Sequence, residues 1–168
     1  MNRSIRWLLV ALVLAGVAFA FWYFRPTEEK RIRKVIGGLA KDATFTGSEG
    51  NIARIAKIQS IGSRLTVDVE LHVDQVLPIE SALTGRDALQ SLLMAAAPHV
   101  GAVEIQVHDV GVTLTSDTEA QVSMTASAKT GGRKGEFTAQ EFDIRLLKQE
   151  GAWRIRRVEA VAGFRRAR

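Results

Sequence analysis

His108 and Asp109 are neighbours in the stretch VEIQVHDVGVTL. An imidazole beside a carboxylate can pass a proton, and either group can serve as a general base. Proton abstraction next to a carbonyl also needs a donor that stabilises the oxyanion as it forms. The single tyrosine, Tyr23, stands in an apolar run near the amino terminus, so it is no candidate for that donor. His72 and His99 are isolated, without the spacing of metal ligands, and no metal site is expected. The chain has no cysteine, no glycine-rich phosphate loop and no serine in a nucleophile elbow, and no cofactor is implied. A second charged constellation, Glu141, Asp143 and Arg145 opposite Arg154 and Arg156, could bind an anion. Alternating charges on paired strands are more often cross-strand pairs on a wet face.

The elements around these residues follow from periodicity. Thr27 can cap a helix that opens with Glu28 and Glu29, and Ile32, Val35, Ile36, Leu39, Ala40 and Ala43 give it one apolar face. Gly37-Gly38 inside that helix implies close approach of another backbone. A second helix is expected after Asn51, with Ile52, Ile55, Ala56 and Ile58 as its apolar set, ending near Gly62. Leu65 to Val73 alternates as a half-buried strand with Leu65, Val67, Val69 and Leu71 inward and Asp68, Glu70 and His72 on the other face. A third helix follows, with Thr84 as cap, Leu89, Leu92, Leu93 and Ala96 as buried stripe, and Pro98 as stop.

The rest reads as antiparallel strands. Val103, Ile105 and Val107 share a parity that Val110, Val112 and Leu114 reverse, so the phase slips near His108-Asp109. Such a slip marks a β-bulge, which is also the plain structural reading of that pair. The chain turns at Ser116-Asp117, and a strand AQVSMTASAK leads to a loop at Gly131-Gly132. The hairpin QEFDIRLLKQEGAWRIRRVEAV then turns at Glu150-Gly151 and implies a second bulge at Arg156-Arg157.

Trp7 to Phe24 is an unbroken apolar run flanked by Arg3, Arg6 and Arg25-Pro26, close to the length of a membrane-spanning helix. Trp7 at one end and Trp22 and Tyr23 at the other suit the two interfaces. A cleaved signal peptide with Ala18-Phe19-Ala20 as its site would leave four apolar residues at the new terminus, so an uncleaved anchor over residues 1–26 is the better reading. Counting basic residues favours the domain inside. The layout, however, resembles bacterial signal-anchors, which implies the inner (cytoplasmic) membrane, a single pass and a periplasmic domain.

Charge excludes one class of partner. The formal charge is +5, but residues 35–164 hold 13 basic and 16 acidic side chains, so the basicity sits at the two ends. A nucleic-acid groove needs a basic stripe on the folded surface, and none is expected.

An early strand among three helices, the GRDAL opening of the third helix and the closing strand GAWRIRRVEAV together resemble the nuclear transport factor two-like superfamily, which includes ketosteroid isomerase and the SnoaL-like cyclases. The resemblance spans residues 27–162, with 163–168 as a basic disordered tail. It implies an α+β fold: a cone-shaped, curved antiparallel sheet with three helices on its concave face, here preceded by a single transmembrane helix. It also implies an apolar pocket, lined in this chain by Phe45, Leu92, Val107, Met124, Phe142 and Trp153, with room for a small apolar ligand. A helical tether on such a domain resembles the inner-membrane assembly factors of type IV secretion systems. The expectation is therefore a membrane-tethered, non-catalytic binding or scaffold domain, with a homodimer or a protein partner on the sheet. The alternative is a SnoaL-like small-molecule isomerase, hydrolase or carrier using Asp109 and His108.

Overall fold

A computed structural model describes residues 27–73, 83–130 and 137–161. The apolar run with Trp7, Trp22 and Tyr23, the Gly131-Gly132 loop and the terminal residues 163–168 lie outside the described residues. Among the described residues no helix is long and apolar enough to cross a membrane.

The elements run α1 (Glu28–Ala43), α2 (Asn51–Ser63), β1 (Leu65–His72), β2 (Leu83–Thr84), α3 (Arg86–Ala96), β3 (Val103–Leu114), β4 (Glu119–Thr130), β5 (Phe137–Gln149) and β6 (Ala152–Ala160). The strands form one six-stranded sheet in the order β2-β1-β6-β5-β4-β3. The expected all-antiparallel sheet is corrected to a mixed one, because β1 lies parallel to β6. Alternation reports which face a side chain takes and carries no strand direction. The direction follows from the crossover that joins β1 to the distant last strand.

Both bulges are present. β3 and β4 lose register between His108 and Gly111, and Asp109 takes φ 52°. On β6, Arg156 is the extra residue between Ile155, opposite Leu146, and Arg157, opposite Arg145. Each inserted residue bends its strand, and together they curve the sheet around the helices. The β5–β6 loop has two residues, Glu150 and Gly151, both at positive φ (52° and 79°), as a tight hairpin with right-handed twist requires.

The core lies between α1 and the inner face of the sheet. Ile32 and Ile36 of α1 meet Leu65, Val69, Val122, Ile144, Leu146 and Ile155, all buried. The helices depart from expectation in four places. Ile52 (86% exposed), Ile55 and Ala56 face solvent, and of the expected set only Ile58 is buried, joined by Ile61 and Gly62. The reason is the seat of α3: a Cβ on Gly62 would stand 2.0 Å from the Gln90 amide nitrogen, so the helices touch there and the first turn of α2 has no cover. Leu92 is 41% exposed, and no residue of α3 is fully buried. The α3 cap is Gly85 (φ 98°), whose N–H still bonds Val69 O in the sheet, while Thr84 belongs to β2. On α1, Gly38 is approached by the Arg64 guanidinium and not by a backbone, and nothing stands within 4 Å of a Cβ on Gly37.

β1 also breaks its expected alternation. Its register with β6 slips between Leu65 and Glu70, leaving Val67 67% exposed and Thr66 fully buried.

Candidate functional site

Strand register sorts the candidate residues onto two faces. Val107 pairs with Ala126, and Met124 pairs with Phe142. These side chains, with Val110, Val112 and Val158, pack against the core from the inner face together with Leu89 and Leu93 of α3. Val107, Met124 and Phe142 are therefore neighbours on the inner face. The other three expected lining residues lie apart. Trp153 is buried (4% exposed) at the hairpin end of the sheet. Phe45 bridges to Val103 at the opposite end, beneath the Arg54 and Lys57 cations. Leu92 points largely to solvent from α3.

His108 lies on the outer face. It pairs with Thr125, and its Nε2 is 3.3 Å from the buried Ser127 Oγ. Asp109, exposed at the bulge, lines an outer cleft of about 310 Å³ with Ser123, Thr125, Glu141 and Asp143, and Met124, Phe142 and Val161 also border it. His108 pairs with Thr125, which also lines this cleft, so both members of the sequence pair lie on the outer face and away from the apolar interior. Three carboxylates around one cleft attract cations, but among the described residues no three carboxylate or imidazole groups converge closely enough to hold a metal ion.

A second outer cleft, about 450 Å³, is lined by Arg145, Arg156, Arg157, Glu70, Glu119 and neighbouring residues. Arg145 and Arg157 face each other across β5 and β6, an unfavourable like-charge pair on its own. The compensating carboxylates come largely from β1. Arg157 approaches Glu70 at 3.6 Å and Glu159 at 3.4 Å, and Arg156 approaches Asp68 at 3.8 Å. The sequence set Asp68 and Glu70 on the polar face of their strand, but only the parallel pairing with β6 brings them to the arginines. Partly exposed pairs of this kind contribute about 0–1 kcal/mol each.

No protein-family model and no curated protein matches the sequence. A solved structure from Novosphingobium aromaticivorans, provisionally named a scytalone dehydratase, is similar with a TM-score of 0.66 at 16% identity, covering 82% of this chain and 85% of that one. The Kfla4162 protein of Kribbella flavida is similar with a TM-score of 0.65 at 14% identity, over 81% of this chain and 90% of that one. A third protein, also from Novosphingobium aromaticivorans and provisionally named an aromatic ring hydroxylase, gives a TM-score of 0.63 at 11% identity, over 81% and 90%. The fold is nuclear transport factor two-like.

At this depth of identity the likeness concerns architecture. Within the nuclear transport factor two-like fold, a polar cluster ties helix to sheet at the hairpin end. The Trp153 indole N–H donates to Glu28 Oε2 at 2.6 Å. Lys148 Nζ and Arg31 Nη1 reach Glu28 Oε1 at 3.1 and 3.2 Å, and the Lys148 ammonium lies 5.7 Å from the centre of the Trp153 ring. The indole hydrogen bond, aided by Lys148 and Arg31 and opposed by desolvation, holds the Glu28 carboxyl below the usual carboxylate range. Sequence reasoning saw Glu28 only as a helix-dipole partner, and no local signal linked it to Trp153. The cluster is suited to joining a helix to a sheet, with its carboxylate already bound by three donors.

Proposed function

We propose that this chain is a membrane-tethered, non-catalytic binding or scaffold module that works through the outer surface of its sheet, as a homodimer or with a protein partner. One observation carries the reading: the inner face of β3 to β6 presents Val107, Val112, Met124, Phe142, Ile144 and Ile155, while Asp109 and His108 stand on the outer face. A proton-transfer site needs its acid and base to converge where substrate is sheltered from water. The apolar run from Trp7 to Phe24 supports the tether, in a single pass of the inner membrane with the domain in the periplasm. The polar outer face, with Gln121, Ser123 and Thr125 along β4, supports a protein contact.

The test is light scattering and cross-linking of the full chain in detergent or lipid nanodiscs. Association that Thr125→Arg abolishes is the expected result. A chain that stays monomeric, with Thr125→Arg indistinguishable from wild type, ends the reading.

The second reading, a SnoaL-like small-molecule isomerase, hydrolase or carrier, is supported by similar structures provisionally named a scytalone dehydratase and an aromatic ring hydroxylase, and by Asp109. A non-glycine residue at φ 52° beside a cleft is a strained position of the kind found at functional sites. It requires a small molecule that raises the melting temperature of wild type and not of Asp109→Asn. Equal responses from the two proteins remove it.

A further inference from the structure

The apolar run ends at Phe24, and α1 begins at Glu28. Four Cα steps span at most about 14 Å, and the headgroup layer of a bilayer leaflet is about 5–8 Å thick. The first turn of α1 is therefore held within reach of the headgroups if the run is a tether. That turn is not free to swing away from the sheet, because Glu28 is bound to Trp153 and Lys148 on the two strands of the β5–β6 hairpin. The β3–β4 turn is joined to the same end, where Lys148 N–H donates to Thr118 O at 2.8 Å. From there α1 runs about 24 Å to Ala43, and Phe45 then bridges to Val103 at the far end of β3.

We propose that the hairpin end of the sheet, with the tips Glu150-Gly151 and Ser116-Asp117, rests against a zwitterionic phospholipid headgroup layer. The proposal rests on the tethered reading of the chain. The exposed side chains at this end are of mixed sign (Glu29, Lys30, Arg31, Asp117 and Glu150), which suits headgroups carrying both a phosphate and an ammonium. They are too polar to enter hydrocarbon.

The chain has no cysteine, so single labelled sites are clean. Glu150→Cys and Asp117→Cys report the hairpin end, and Ser48→Cys and Gly101→Cys report the far end; all four positions are exposed. Each full-length variant is labelled with a fluorophore and reconstituted in phosphatidylcholine nanodiscs containing a lipid with a nitroxide on its headgroup. Several-fold stronger quenching at positions 150 and 117 than at 48 and 101 is expected. Equal quenching at both ends, or the reverse order, overturns the proposal while leaving the tether intact. A chain that does not copurify with the discs overturns the tether and the proposal together.

Discussion

The Trp153 indole donates to Glu28 at 2.6 Å across 125 residues of sequence, joining the first turn of the first helix to the start of the last strand. A hydrogen bond to a charged acceptor contributes about 1.5–3 kcal/mol, more than a neutral one. Trp153→Phe keeps most of the buried ring and removes the donor, leaving the carboxylate with Lys148 and Arg31 alone. A loss of about 2 kcal/mol is expected in denaturant unfolding. Glu28→Gln retains an acceptor and loses the charge, and a smaller loss is expected.

The same pair gives the stability a pH dependence. The folded-state Glu28 carboxyl is held below its ordinary range, first by the Trp153 hydrogen bond and then by Lys148 and Arg31, so the unfolded chain takes up its proton at higher pH than the folded one. Its contribution is complete above the ordinary glutamate range and is lost as pH falls through the lowered folded value. Glu49, lowered chiefly by its hydrogen bond from Lys57, acts in the same direction. Melting curves from neutral pH downward are expected to show a gap between wild type and Glu28→Gln that closes as the solution becomes acidic.

Thr66 is fully buried, and its hydroxyl oxygen has no hydrogen-bond partner. An unpaired hydroxyl in an apolar surround costs about 1–3 kcal/mol, and valine has nearly the same shape. Thr66→Val is expected to stabilise the domain by about 1 kcal/mol in denaturant unfolding.

The adjacent glycines of α1 separate helix propensity from packing. Gly37→Ala meets empty space, and a gain of about 0.5–1 kcal/mol is expected. Gly38→Ala sets a methyl 2.7 Å from the Arg64 guanidinium, which also holds Asp42 and the Ser60 carbonyl. The propensity gain is offset there by displaced ion-pair geometry. The melting temperature of Gly38→Ala is expected to stay at or below that of wild type.

These particulars mark what sequence reasoning could reach. The bulges at Asp109 and Arg156 were legible because an alternating strand that changes phase while both halves stay half-buried must carry an inserted residue. The Glu150-Gly151 hairpin was legible because its turn chemistry is local. The parallel pairing of β1 with β6 was not legible, since a half-buried strand alternates in the same way in either direction. The exposure of Ile52 and Leu92 was equally hidden: a helical period identifies an apolar face but not how far a neighbour covers it. At the candidate site, adjacency of His108 and Asp109 suggested a pair aimed into the pocket, and the face each side chain takes at the bulge was not legible without the register of β3 against β4. The Glu28–Trp153 bond joins residues from opposite ends of the domain, so neither residue's surroundings in sequence announce it.

The proposed location, orientation and mode of action all depend on the proposed tether, and alkaline extraction followed by vesicle flotation tests it most directly. Each arginine at the centre of a membrane span costs about 2.5–3.5 kcal/mol, so Leu12→Arg with Leu14→Arg disables a true span. The full chain is expected to float with phospholipid vesicles after the alkaline wash, and the doubly substituted chain to stay at the bottom of the gradient. Wild-type chain in the bottom fraction, or equal flotation of the two, would contradict the account.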